Sequence, residues 1–157
     1  MSNALIAAAE QKMDCVQVFT KNQRQWNSKP LQEQEIESWL NELQKNGWDG
    51  NGTSVSHNSY LINLASPDAK ARKKSMALQR EEIERCETLH IPFLVSHPGA
   101  RLGTPRNRTD ANTLSQQPTT EEIDGLQRIV TSLDQLHQEL PGYNTITCLE
   151  TTVGSGT

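Results

Sequence analysis

The apolar positions of this chain fall alternately into short runs and helical spacings. Residues 3–12 are alanine-rich, with Asn3 placed to cap them, and are predicted to form an opening helix. Val16-Gln17-Val18-Phe19 alternates as a strand does. Between Leu31 and Asn46, Ile36, Trp39, Leu40 and Leu43 lie at i, i+3, i+4 and i+7, one face of a helix, and the glycine-rich segment 47–52 ends it. A second strand ends at His57. Ser66-Pro67-Asp68 then reads as a helix start, with Ser66 as cap, Pro67 in the first helical position and Asp68 in the first turn. The helix is predicted to run to about Leu89. Met76, Ile83, Cys86 and Leu89 face inward, Gln79 interrupts them, and Arg80, Glu81, Glu82, Glu84 and Arg85 form a solvated face.

A third strand, Phe93-Leu94-Val95-Ser96, leads to His97. The following segment, 98–118, is rich in Gly, Pro, Asn, Thr and Gln and has no period. A loop of this length is either functional or disordered. Thr119 and Glu122 then form a capping box, and Leu126, Ile129, Val130, Leu133, Leu136 and Leu140 trace a buried helical stripe. Pro141-Gly142 stops that helix, and a last strand runs to Glu150. The order is a helix, three strand-helix units and a final strand, which argues a parallel sheet covered by helices. The expected class is α/β, a single domain over 1–157 of (β/α)8 barrel type with about four strands, in which 101–118 is a flexible insert.

Composition narrows the partners. A net charge of -4 excludes a globally basic nucleic-acid binder, so any anion must be held locally. The apolar share is 34%, below the roughly 45–50% of a globular domain, which implies an incomplete core or a partly disordered insert. Cys15, Cys86 and Cys148 are far apart and odd in number, and are expected to be small buried residues of a cytoplasmic protein. No apolar run approaches the ~18 residues of a membrane span.

The candidate chemistry sits where the strands stop. His57, His97 and Glu150 each stand at a strand end, 40 and 53 residues apart, so one station of a repeating unit carries three ligand-type side chains. A lone histidine in such a place is more often a hydrogen-bonding loop residue. Two neutral imidazoles and a carboxylate are, however, a donor set that suits Zn²⁺, with a fourth position left for water. At the carboxyl ends of barrel strands they would converge.

Four stretches carry a further signal: Phe19-Thr20-Lys21-Asn22-Gln23-Arg24-Gln25-Trp26, His57-Asn58-Ser59-Tyr60-Leu61-Ile62-Asn63-Leu64-Ala65-Ser66-Pro67, His97-Pro98-Gly99 and Leu149-Glu150-Thr151-Thr152. Together, and in this order, they resemble the endonuclease IV family of apurinic/apyrimidinic endonucleases. The resemblance covers most of the chain except about 101–118. It implies a (β/α)8 barrel with a three-zinc cluster that hydrolyses the phosphodiester on the 5′ side of an abasic site. It implies that His57 and His97 are terminal ligands of one zinc. Glu150 would be the catalytic carboxylate that bridges it to a second. It also implies that Arg24, Tyr60 and Leu61 enter the minor groove of double-stranded DNA and unstack the abasic nucleotide. The alternative for Tyr60 and Leu61 is a loop tucked onto its own barrel.

The same resemblance marks departures. Asn58 stands where the family usually has Asp, Arg101 stands where a second His commonly follows the Pro-Gly, and Gln79 replaces an apolar residue. The later ligands of the family are missing, so the chain carries ligands for about one zinc and reads as a partial copy. Four parallel strands leave two edges, which two copies could pair to close a ring of eight. Two other readings stay open: a non-catalytic remnant that binds zinc or damaged DNA, and a sugar isomerase-like barrel. Against the last stands the Arg24 loop with Tyr60 and Leu61, because a small sugar needs no groove probe. Activity of the repair type would place the protein in the bacterial cytoplasm, at the nucleoid.

Overall fold

The computed structural model describes residues 1–50, 52–102 and 117–151. The elements are α1 (Ser2–Glu10), β1 (Val16–Val18), α2 (Glu33–Lys45), β2 (Ser54–His57), α3 (Ala69–Thr88), β3 (Phe93–Ser96), α4 (Thr120–Glu139) and β4 (Ile146–Leu149). The strands form one sheet in the order β1-β2-β3-β4, every pair parallel. Sequential parallel neighbours joined by helices are the arc of a barrel, as the alternation of elements predicts. The 101–118 insert lies largely outside the described residues.

The helix starts show where local chemistry was misread. Asn3 lies inside α1, whose cap is Met1 with no side-chain bond. Gln32, reciprocating with Glu35, caps α2 and sets its first residue at Glu33 rather than Leu31. For α3 the cap is Asp68, whose carboxylate accepts from the backbone N–H of Lys70 at 2.8 Å, so Ser66 and Pro67 stay in the loop. The Thr119–Glu122 capping box forms as expected.

The main core gathers Leu5, Val18, Trp39, Leu43, Ile83, Cys86, Leu89, Ile91, Leu94 and Leu140 between the sheet and its helices. Trp39 is fully buried and its indole N–H donates to the Leu89 carbonyl at 2.8 Å, so its polar atom is satisfied too. Each such side chain contributes about 1.5–3 kcal/mol on burial. A second cluster of Ile62, Leu64, Ala65, Leu78 and Ile129 lies beneath the loop after β2, with Trp26 and Leu61 packed against it. It supports the site from below.

Polar residues complete what the low apolar share leaves open. Gln79 is fully buried in α3, where its Oε1 accepts from Asn58 Nδ2 at 2.7 Å and from Ser96 Oγ at 3.2 Å. Asn58 Nδ2 also donates to Ser96 Oγ at 2.6 Å, joining β2, α3 and β3.

The expected solvated face of α3 is in part a clamp. Glu82 is buried and accepts from Thr20 Oγ1 at 3.0 Å, Glu81 pairs with Lys21 and with the Ser28 hydroxyl, and Arg85 donates to the carbonyls of Thr20 and Lys29. Burial pushes the Glu82 carboxyl above its usual range, against Lys21, the Thr20 hydroxyl and Arg85, which pull it down. Charge periodicity marked this face as wet because the loop that lands on it is distant in sequence.

Two further expectations are corrected. Leu126 and Val130 are about half exposed, and only Ile129, Leu136 and Leu140 of the α4 stripe are buried, because among the described residues nothing covers the Leu126 and Val130 side of α4. Of the cysteines, Cys86 is buried, Cys148 half-buried and Cys15 exposed. Among the described residues no helix is long and apolar enough to cross a membrane.

Candidate metal centre

Adjacent strands in register place the three ligand-type residues side by side. His57 is the last residue of β2 and pairs with Val95, while Ser96 pairs with Leu149, so His97 and Glu150 each stand one residue past a strand end. The ladder continues beyond the strands: Asn58 N–H donates to Val95 O at 2.9 Å and Glu150 N–H to Ser96 O at 3.0 Å. Strands spaced by about 4.8 Å then bring the side chains together. The His57 and His97 rings are 5.0 Å apart.

Glu150 Oε2 lies 3.5 Å from His57 Nε2 and 3.3 Å from His97 Nε2. The ligand atoms of the three residues all lie within 4.8 Å of one another. Four-coordinate zinc with bonds of about 2.0–2.2 Å separates its ligand atoms by about 3.4 Å, so both nitrogen-to-oxygen distances suit a shared tetrahedral ion. Exposure rises along the row, with the side chain of His57 8%, of His97 29% and of Glu150 51% exposed.

Hydrogen bonding decides which atoms face the centre. The Asn58 carbonyl lies 2.9 Å from His57 Nδ1, and a carbonyl only accepts, so Nδ1 carries the proton. In the neutral ring His57 Nε2 then presents a lone pair to a carboxylate oxygen that presents another. Such an encounter is repulsive unless a cation or a proton lies between. His97 Nδ1 is buried with no partner among the described residues, so bonding within the chain leaves that imidazole incompletely satisfied. The donor types, their separation and the fixed His57 tautomer fit a zinc ion.

The loops around the centre are zipped together. Leu64 N–H donates to Pro98 O at 2.8 Å, Asn63 Nδ2 to Ala100 O at 2.9 Å and Ala65 N–H to Asn63 Oδ1 at 3.1 Å. Gly99 has φ +105°, and a Cβ there would fall 2.5 Å from Asn63 Cα, so only glycine allows this approach. Phe19 packs on His57 with centroids 5.5 Å apart, and Tyr60 lies 5.4 Å from His57 and 6.5 Å from His97. Sequence reasoning gave Phe19 and Asn63 no role. Their signal was only position, one residue after a strand and two residues after a Tyr-Leu pair.

Arg24, Tyr60 and Leu61 separate in their surroundings. Arg24 is exposed on the loop after β1, its backbone N–H bonded to Asn22 Oδ1 at 2.9 Å. Tyr60 is 57% exposed beside the two histidines. Leu61 is half-buried against the second core cluster, whereas the Tyr60 ring lies against Phe19, His57 and His97. Ser59 Oγ donates to Gln23 O at 2.8 Å and ties the two loops to each other. Arg101 is buried and ion-paired with Glu121 at 3.3 Å.

In front of the centre a cavity of about 840 Å³ opens between Tyr60, Pro98, Leu126, Val130 and Leu149, with His97 and Glu150 in its wall. Its volume is within the range of small-molecule and nucleotide pockets.

Comparison with known proteins places the geometry in a family. The model of the xylose isomerase-like TIM barrel family matches residues 5–157. The probable endonuclease 4 of Chloroflexus aurantiacus is 40% identical over 145 residues, 92% of this chain and 44% of that protein. That of Geobacter sulfurreducens is 37% identical over 144 residues, 90% of this chain and 42% of the relative. The chain therefore spans under half the length of these relatives. The crystal structure of endonuclease IV from Thermus thermophilus superposes with TM-score 0.72 at 22% identity, covering 99% of this chain and 48% of that one. A D-tagatose 3-epimerase-like protein superposes with TM-score 0.62 at 17% identity, covering 99% and 51%. At such identities the superpositions speak for the fold alone. With its parallel arc of strands, its helices outside and its ligand-type residues at the strand ends, the chain belongs to the xylose isomerase-like TIM barrel family, and its sequence relatives there are endonuclease 4 proteins.

Proposed function

We propose that the chain carries one zinc site and the DNA-probing loops of an endonuclease IV-type repair nuclease, which hydrolyses the phosphodiester 5′ to an abasic site. The observation that supports this reading is the convergence of His57 Nε2, His97 Nε2 and Glu150 Oε2, with the His57 tautomer fixed by the Asn58 carbonyl. His57, His97 and Glu150 would hold the ion. When bound, zinc supplies a hydroxide at neutral pH and stabilises charge on the phosphoryl oxygens. Glu150, the most exposed of the three, lines the cavity and would offer its carboxylate to the ion there. Arg24 offers a cation to the groove backbone, and the exposed Tyr60 ring is the wedge that unstacks the lesion, with Leu61 bracing it from the core cluster.

The sugar isomerase-like reading gains nothing from Arg24, which is exposed on the loop after β1 and does not line the cavity. The non-catalytic reading, in which the chain binds zinc or damaged DNA without cutting, is separated by experiment. Incision of a duplex with one abasic site is measured with added zinc, for the chain and for His97→Ala. Incision lost in the variant supports the nuclease; zinc-dependent binding without incision supports the binding chain, and neither outcome leaves the isomerase.

The β4 edge favours self-association. Ile146 and Leu149 are 56% and 53% exposed, next to the exposed Leu126 and Val130. An unpaired apolar strand edge is a pairing surface. A second copy would cover it, and a monomer in sedimentation with cooperative unfolding would remove this part of the proposal.

A further inference from the structure

The first half of helix α3 carries cations and no acid, while its second half mixes acids with Arg80 and Arg85. Lys70, Arg72, Lys73 and Lys74 occupy its first six residues, while Glu81, Glu82, Glu84 and Glu87 lie in its second half. The first turn holds no acid. Cations at a helix start oppose the macrodipole, so this placement works against the helix that carries it. Three of the four acids of the second half are engaged: Glu81 with Lys21, Glu82 with Thr20, and Glu87 with Asn144 and Thr145. No described carboxylate lies within ion-pair distance of the exposed Lys70, Lys73 or Lys74.

Position gives the cluster a partner. α3 returns antiparallel to the strands, so its start lies at the end of the sheet where His57, His97 and Glu150 converge. Lys74 Nζ stands 4.0 Å over the Trp26 ring, in the loop that carries Arg24, and Trp26 and Leu61 pack on one cluster. Arg72 Nη1 donates to Ser66 O at 2.7 Å and Arg128 Nε to Ala65 O at 2.8 Å, fixing the end of the Tyr60 loop to α3 and α4. Lys70 and Lys74 are about 6 Å apart along the helix axis. Two phosphate steps of one strand cover about 7 Å of duplex axis.

We propose that Lys70, Lys73 and Lys74 form a backbone-tracking surface that extends duplex contacts from the Arg24 and Tyr60 loops along α3. The inference deepens the DNA-directed reading above and rests on it. In a chain of net charge -4, this local concentration of unpaired cations provides an anion-holding surface without making the whole protein basic. Its contacts are to phosphates and carry no sequence or lesion preference.

The test is fluorescence anisotropy of the full chain on a duplex with one abasic-site analogue and on the undamaged duplex, between about 50 and 200 mM salt. Lys70→Gln/Lys73→Gln/Lys74→Gln is compared with the parent, and Lys70→Gln/Lys73→Gln serves as a second variant that keeps the Trp26 contact. Each lysine on a phosphate steepens the salt dependence by about 0.9, so the triple variant's slope is expected to be shallower by about 2–3 and the double variant's by about 2. Affinity for both duplexes falls by a similar factor. Unchanged slopes overturn the proposal, as does a parent that binds neither duplex, or a loss confined to the abasic duplex. A poly-glutamate chain bound as tightly as DNA, with the same dependence on these lysines, overturns DNA as the partner. Zinc uptake is read in parallel: lysine-dependent DNA binding without zinc uptake keeps this surface and removes the metal centre, and zinc uptake with unchanged slopes does the reverse.

Discussion

Replacing Asn58 by alanine probes how the fold fixes the centre. The side chain is fully buried and donates to Gln79 Oε1 at 2.7 Å and Ser96 Oγ at 2.6 Å. Gln79 Oε1 keeps the Ser96 hydroxyl, so the variant loses two hydrogen bonds and leaves one acceptor site on each partner under-satisfied. At about 1 kcal/mol per bond, with a further desolvation cost, the loss comes to about 2–3 kcal/mol. Against the 5–15 kcal/mol roughly typical of a domain that is a large fraction. With an m-value of about 1–3 kcal/mol/M, the urea midpoint is expected to fall by about 1 M. Circular dichroism at graded urea reads it. The variant keeps the backbone carbonyl that holds His57 Nδ1, so zinc affinity should fall only as far as loss of the side-chain network lets that carbonyl move. A midpoint shift under about 0.3 M with unchanged m would refute the claim that this network ties β2 to α3 and β3.

Glu87 links the end of α3 to the start of β4. Burial raises its carboxyl, but hydrogen bonds from Thr145 Oγ1, the backbone N–H groups of Asn144 and Thr145, and the Asn144 amide outweigh that and hold it below the usual range. A depressed folded value means the stabilisation is full above the unfolded pKa and is lost as pH falls through the folded one. Glu87→Gln should therefore cost stability at neutral pH and flatten the acid limb of a stability-versus-pH curve; parallel limbs in variant and parent would exclude this role. Burial pushes the Cys86 thiol up to about 12, so at pH 8 it is expected to resist a thiol reagent until urea unfolds the chain, while the exposed Cys15 reacts at once. Rapid modification of Cys86 in the native chain would show that the core around α3 opens readily.

The element order and the parallel sheet were legible because each rests on short-range patterns: alternation in Val16–Val18, helical spacing from Ile36 to Leu43, and the Thr119–Glu122 box. The row of His57, His97 and Glu150 was legible from a repeated station at strand ends. What stayed hidden depends on partners distant in sequence. Gln79 read as a polar interruption, and only the approach of Asn58 and Ser96 makes it a buried junction. Glu82 read as solvated because Thr20 and Lys21 lie more than 60 residues away. Leu126 and Val130 read as core because periodicity tells which residues share a face and not whether anything covers it.

The most direct test of the metal centre is a zinc titration of the purified chain against a competing chelator, with His57→Ala and Glu150→Gln alongside. The expected result is one tightly bound equivalent, lost in His57→Ala and weakened in Glu150→Gln, with one set of imidazole signals perturbed per zinc in nuclear magnetic resonance spectra. Equal zinc uptake by the chain and both variants, with imidazole signals of His57 and His97 unmoved, would contradict it and leave the three side chains as neighbours without an ion to share.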